Sequence, residues 1–314
     1  MLDIKLKSKF IGGLVGCALG DAIGELAFKY RNREKLLGVV QRSKLLKYTD
    51  DTAMAIGLAE SIIENNGKIT PEKLGEKFHK NFKEEPYRGY GSGPPTIFRT
   101  VERTRKDYSE IAKDLFGGQG SFGNGASMRI TPLGLFYYDR EALYDIAEKS
   151  AIVTHTHPLG IDGAALLAKL ISTMVSKEPE KYQVKTNANE ILEDLIKFSK
   201  TEIYSQKLKQ IREFIKKRIS RKEVEGELGS GVLAHKSVPY VIYSFLRNSS
   251  DYKESLLEII LLSRDRDTVG AMLGGVLGSF LGEEKIPHSW IDKLENKDYI
   301  VQLAGKLFNI KKEL

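Results

Sequence analysis

The chain has 314 residues, 41% of them hydrophobic and 29% charged, which excludes a disordered or fibrous protein and supplies enough apolar side chain for one large core. Its formal charge of +7 would suit an anionic ligand, yet a nucleic-acid partner is disfavoured. Ten of the Lys and Arg residues fall between Lys197 and Lys222, where Ile203, Leu208, Ile211, Ile215 and Ile219 recur at helical spacing and mark a solvated helix face.

Taken in chain order, the run from Phe10 to Gly20 follows Lys5, Lys7 and Lys9 in the manner of a signal peptide, but four glycines dilute it and Asp21 interrupts it. Cys17 is the only cysteine, so no intrachain disulfide or cysteine zinc site can form, and a reducing, cytoplasmic setting is expected. Leu36 to Val40 is the one stretch that reads as a short strand. Tyr48-Thr49-Asp50-Asp51-Thr52 leads into an apolar helix from Ala53 to Ile63, closed by Asn65-Asn66-Gly67. Thr70-Pro71-Glu72 reads as an N-cap, a first-turn proline and an acidic first turn, opening a helix toward Glu85. Further helices are predicted at 141–153, 160–176, 189–200, 205–220, 237–246, 252–262, 268–281 and 298–308. Val269 to Leu281 is too short to span a bilayer, and no membrane segment is expected. The fold class is therefore all-α. Glycine concentrates in Pro86 to Pro95 and Gly117 to Gly125, loops that let backbone approach a ligand. No linker divides the chain, so a single domain over 1–314 is expected, the basic segment at about 197–231 reading as a peripheral insertion.

The sharpest chemical feature is Thr49-Asp50-Asp51-Thr52, where Thr49 or Asp50 can cap the following helix and the other carboxylate can sit at its positive end. A second cluster, Ser263-Arg264-Asp265-Arg266-Asp267-Thr268, opens another apolar, Gly-rich helix, with capping and ion pairs to Arg264 or Arg266 as its structural account. Should the two helix starts converge, carboxylates and hydroxyls would make a hard, all-oxygen environment suited to Mg²⁺ or Mn²⁺. Gly120 to Gly125 reads as a turn in which Gly123 and Gly125 serve backbone geometry, and His155 and His157 beside Pro158 as a helix junction.

Six segments then carry a resemblance: Gly20-Asp21-Ala22-Ile23-Gly24, Tyr48-Thr49-Asp50-Asp51-Thr52, Arg88-Gly89-Tyr90-Gly91, Gly123-Asn124-Gly125-Ala126-Ser127-Met128-Arg129, Thr154-His155 and Asp265-Arg266-Asp267-Thr268. In this order, from about residue 10 to residue 282, the chain resembles the ADP-ribosylglycohydrolase family. The resemblance implies a compact multi-helix fold with two adjacent Mg²⁺ or Mn²⁺ ions, held by Thr49, Asp50 and Asp51 from one cluster and Asp265, Asp267 and Thr268 from the other. It also implies that Gly120, Ser121, Phe122, Gly123, Asn124 and Gly125 wrap ADP-ribose, with Met128 and His155 lining the ligand. The implied activity is metal-dependent cleavage of the glycosidic bond between ADP-ribose and a protein side chain or small acceptor. The implied substrates are an ADP-ribosylated protein or an ADP-ribose-containing small molecule.

Departures from the family pattern sharpen the expectations. Asp51 and Glu25 are the catalytic candidates: the family commonly places a Glu four residues after the glycine matching Gly24, this chain has Phe28 there, and Glu25 is the available substitute. Arg266 replaces a small Thr between two aspartates, where a guanidinium paired with Asp265 or Asp267 would stand in for a cation and lower the expected occupancy to one ion. Two other readings stand beside the hydrolase. One is a catalytically weak ADP-ribose-binding protein, favoured by Phe28 and Arg266; the other is a metallohydrolase for a different anionic substrate such as a phosphate ester.

Overall fold

The computed structural model describes residues 2–314. The chain forms α1 (Leu2–Lys29), α2 (Arg33–Arg42), α3 (Asp50–Glu64), α4 (Pro71–Glu84), α5 (Gly93–Thr104), α6 (Tyr108–Gly118), α7 (Gly125–Met128), α8 (Thr131–Phe136) and α9 (Leu143–Ala151). The second half adds α10 (Pro158–Val175), α11 (Ala188–Phe198), α12 (Glu202–Lys217), α13 (Arg221–Leu228), α14 (Ala234–Arg247), α15 (Tyr252–Leu262), α16 (Arg266–Leu281), α17 (His288–Ile291) and α18 (Lys297–Glu313). Among the described residues there is no β-strand, only two isolated bridges, so the all-α expectation holds.

At the centre lie α1 and α16. Both are apolar around their whole circumference, α1 being buried from Ser8 to Gly24 and α16 from Thr268 to Leu281, as befits helices enclosed by others. They run antiparallel and touch backbone to backbone. A Cβ on Gly12, Gly16 or Gly20 would fall 2.6, 2.4 or 2.0 Å from the carbonyl oxygen of Gly278, Gly274 or Gly270, and one on Gly24 would fall 2.3 Å from that of Arg266. Spacing by four puts these glycines on one face of α1, and the matching glycines of α16 repeat the same interval. No side chain fits between the helices, which is the physical reason for glycine here. One continuous hydrophobic cluster, from Phe10 to Phe308, surrounds the pair. α1 and α10 are long and apolar enough to cross a bilayer, but 89% and 78% of their apolar windows are buried inside the fold.

Several expectations need correction. Leu36 to Val40 is helical, within α2: Asn32 caps it by accepting from the N–H groups of Glu34 and Lys35, and Leu36 and Val40, one turn apart, form its buried face. The helix expected at 205–220 is α12, Glu202–Lys217, and α13, Arg221–Leu228, follows it without having been expected. α12 ends where Arg218 turns left-handed at φ +55°, and α13 restarts after Ser220, whose Oγ accepts from the Glu223 N–H. Irregular backbone after Pro86 stops at Ser92, because Pro94 occupies the first turn of α5. Thr70 caps α4 as its sequence indicates, accepting from the Lys73 N–H. Within the basic segment, Tyr204, Leu208 and Ile211 of α12 are buried and Ser230 is enclosed against Arg264 and Asp265.

Two glycine substitutions inside helices should therefore behave oppositely. Gly274→Ala places a Cβ 2.2 Å from the Gly16 carbonyl oxygen, an overpacking expected to cost about 1–3 kcal/mol or more. Gly226→Ala in α13 meets open space and should be neutral or stabilise by about 0.4–1 kcal/mol. Urea unfolding of both variants checks this; equal midpoints would contradict it.

Candidate functional site

The first acidic cluster is positioned from another helix. Asp21, wholly buried in α1, accepts from the N–H of Thr49 (2.9 Å) and of Thr52 (3.0 Å), and from their hydroxyls at 2.8 and 2.6 Å. An anion at the positive end of α3 thus takes over the capping that the sequence assigns to Thr49 or Asp50, neither of which makes a side-chain cap. Thr49 Oγ1 also lies 3.1 Å from Asp51 Oδ2. A hydroxyl has one proton, and the shorter contact to Asp21 takes it. The same proton can be shared with Asp51 Oδ2 as the longer arm of a three-centre bond.

The second cluster arrives with α16. Asp265 stands at the cap position before it but makes no side-chain cap; its Oδ2 accepts from Asn124 Nδ2 at 2.6 Å, and its N–H donates to the Ser230 carbonyl at 2.9 Å. Asp267 Oδ1 accepts from the Thr268 N–H. Arg266 does not enter the site as expected. It donates to the Ile260 carbonyl at 2.8 Å and, among the described residues, pairs with no carboxylate, because it leaves α16 on the side facing α15. Arg264 approaches only Glu225, at 3.8 Å.

Asp50, Asp51, Asp265, Asp267 and Thr268 share one wall of a cavity of about 470 Å³, although more than two hundred residues separate the clusters in the chain. Burial, reinforced by the neighbouring aspartates, raises the carboxyls of Asp50 and Asp265 to about 7 and that of Asp51 well above the ordinary range. Asp21 is raised to about 6, chiefly by burial, against the lowering effect of its four donors. Asp51 Oδ1 is buried and has no hydrogen-bond partner. An orphaned carboxylate oxygen among mutually repelling carboxylates fits a hard divalent cation better than a protein donor. Among the described residues no three His, Cys, Asp or Glu side chains are gathered closely enough to enclose a metal alone, so hydroxyls and water would have to complete any such shell.

The other end of this cavity is the glycine loop. Gly123 and Gly125 are not required for a left-handed backbone; a Cβ on Gly125 would fall 2.8 Å from the His155 ring, so the small residue leaves room for the imidazole. Gly120 does need glycine twice over, with φ +70° and Thr156 Oγ1 where a Cβ would stand. The loop is tied to 232–234 by Asn124 N–H to the Val232 carbonyl and Ala234 N–H to the Phe122 carbonyl. Behind it Arg129, 0% exposed, donates to the carbonyls of Gly125 and Ser150 and to Thr154 Oγ1, and lies 4.6 Å from the Phe78 ring centre. Burial lowers its pKa to about 9, which still leaves it charged at neutral pH. Thr154 Oγ1 is 2.7 Å from His155 Nδ1, and burial plus Arg129 hold that imidazole neutral, down to about 3. His157 caps α10, accepting from the Leu159 N–H.

Phe116 escaped the sequence reading. It lies at the cavity mouth, 58% exposed, in a left-handed backbone at φ +54° where α6 kinks. The signal was the Gly117-Gly118 pair after an aromatic residue. Asp21 was visible as a charge interrupting an apolar run and within the first resembling segment, but with no role attached to it.

A second cavity, of about 730 Å³, lies across Asp50, Gly89 and Asp267, which line both. Glu25 faces it, its carboxyl raised by partial burial and then by Asp267. Phe28 lines neither cavity and is 37% exposed. Arg88 fixes the intervening loop through Glu85, Glu295, the Tyr48 carbonyl and the Tyr48 ring.

An all-helical fold that joins two aspartate-rich helix starts to a glycine loop defines a narrow class. The ADP-ribosylglycohydrolase family profile matches residues 2–313. The ADP-ribosylhydrolase ARH3 of Xenopus tropicalis is 33% identical over 327 residues, 93% of this chain and 92% of its own length. That of Homo sapiens is 30% identical over 341 residues, 96% and 93% of the two chains. A solved structure described as an ADP-ribosylglycohydrolase-related protein complex superposes with a TM-score of 0.70 at 20% identity, covering 98% of this chain and 99% of that one. The chain belongs to the ADP-ribosylglycohydrolase family and is a hydrolase.

Without a divalent ion the acid cluster governs stability against pH. Between about pH 4 and pH 7 the folded state binds protons at Asp50 and Asp265 that the unfolded chain has lost, so stability falls as pH rises through that window. In chelator the melting temperature should be higher near pH 5.5 than near pH 8, and Asp265→Asn should shrink the difference. Scanning calorimetry at the two pH values decides; an undiminished difference in the variant would clear the cluster of responsibility.

Proposed function

We propose that the protein cleaves the glycosidic bond between ADP-ribose and a protein side chain or small acceptor, using Mg²⁺ or Mn²⁺. The observation that carries this reading is a single hollow with clustered carboxylates at one end and a glycine loop flanked by aromatic rings at the other. Thr49, Asp50, Asp51, Asp265, Asp267 and Thr268 would hold the cation. When bound, it supplies Lewis acidity toward the ribose hydroxyls and makes a coordinated water more acidic.

The rest falls to the chain. Phe116 and Phe122 offer aromatic faces to the adenine, and the loop from Ser121 to Gly125, with Met128 and neutral His155 beside it, receives the diphosphate and the sugar along bare backbone, Gly120 being buried behind it against Thr156. Asp51 Oδ1, unpartnered, accepts the proton of the attacking water. The ionised aspartates stabilise the oxocarbenium-like charge on the ribose. On the opposite side Glu25, its carboxyl raised by partial burial and by Asp267, is the candidate for protonating the departing acceptor atom.

The competing reading, a weak ADP-ribose binder, loses one support because Arg266 turns away from the aspartates. Incubation with mono-ADP-ribosylated arginine and serine peptides in Mg²⁺, Mn²⁺ and chelator tests the choice. Release should require the cation, fall at least about 100-fold in Asp51→Asn, and fall less in Glu25→Gln, in keeping with the usual contribution of a proton-transfer group. Saturable ADP-ribose binding without cation-dependent release would establish the binder instead. Phe116→Gly, which keeps the left-handed backbone, should weaken ADP-ribose binding about 10-fold by calorimetry, as expected for one lost stacking face. Unchanged affinity would remove Phe116 from the site.

A further inference from the structure

The second cavity differs in chemistry from the first. Glu25 comes from α1, Glu84 and Glu85 from the end of α4, and Glu295 from the turn before α18, while Asp50 and Asp267 form the common wall. Against these six carboxylates stand Lys47 and Arg88. Arg88 is fully committed, to Glu85 on one side and Glu295 on the other. Among the described residues Lys47 and Glu25 have no ion-pair partner, and Glu84 has only Lys80, at 4.0 Å. Even with the carboxyls of Glu25 and Asp50 raised toward protonation, four further carboxylates face two cations there, an acidic hollow in a chain with a net charge of +7.

An ADP-ribose diphosphate would be repelled there, and the glycine loop with Phe116 and Phe122 lies in the other cavity, while the second has Tyr48 and Tyr87 beside its carboxylates. Resting on the proposed hydrolase reading, the orientation follows: nucleotide in the first cavity, anomeric carbon at the shared aspartates, acceptor in the second. We infer that the second cavity is the acceptor subsite and selects protein segments that carry Lys or Arg next to the modified residue. Its volume, about 730 Å³, has room for the modified side chain and a neighbouring residue. Carboxylates held on separate helices place the field before the peptide arrives, raising the encounter rate and excluding acidic segments.

The test uses two peptide pairs, one serine-linked and one arginine-linked, each mono-ADP-ribosylated and identical within the pair except for Lys or Glu on both sides of the modified residue. A blocked ADP-ribosylated serine without neighbours serves as control. Wild-type kcat/KM should favour the Lys-flanked member by about 10-fold at low salt, within the range of electrostatic steering, and the preference should shrink above physiological ionic strength. Glu84→Lys should reduce or reverse the preference while leaving the blocked serine unchanged, and Lys47→Glu should increase it. Turnover of both members at equal rates, or a preference untouched in Glu84→Lys, would overturn the subsite while leaving the hydrolase reading intact. Failure to cleave any of the substrates would overturn both.

Discussion

Everything at the site hangs from the approach of α1 to α16, two helices so close that carbonyl oxygens of one occupy the space where side chains of the other would be. Gly24 lies against Arg266 and Asp267, which sets the second acidic cluster beside α1. Asp21, one turn earlier on α1, draws the start of α3 to the same place through Thr49 and Thr52. Gathering several carboxylates away from water is unfavourable by itself. The apolar surface enclosed around the central pair offsets that cost, so the packing of the core and the chemistry of the site are one problem.

Charge is sorted in space more sharply than composition reveals. The excess of Lys and Arg lies outside, much of it on α12, while the centre is acidic and contains one buried guanidinium, Arg129. Arg129 has no carboxylate ion pair; carbonyls, Thr154 and the Phe78 ring hold it, with Asp50 as its favourable charge. Its role is architectural: through Thr154 it fixes His155, and through Gly125 it fixes the loop in front.

Sequence patterns gave away whatever local chemistry decides. α15 is bounded where its apolar period begins and ends, and the Thr70-Pro71 start is an autonomous capping signal. Leu36 to Val40 misled because a run so short fits either periodicity, and Asn32, four residues upstream, was the deciding cue. The two aspartate clusters were legible as candidates but ambiguous as caps, since only the fold shows that Asp21 caps α3 and that Asp265 makes no cap on α16. Gly12, Gly16, Gly20 and Gly24 were in plain view, but their spacing acquires meaning only beside Gly270, Gly274 and Gly278. Arg266 could not be read at all, because its direction depends on the neighbouring Ile260 carbonyl.

The same helix pairing has a consequence for biogenesis. Gly16 is synthesised long before Gly274, so the innermost element of the protein leaves the ribosome with its permanent neighbour not yet made. Contacts this distant along the chain close slowly, and in the interval α1 is a long, greasy segment that resembles an export signal or an aggregation seed. Its scattered glycines, poor helix formers when unpartnered, weaken both hazards until translation supplies α16.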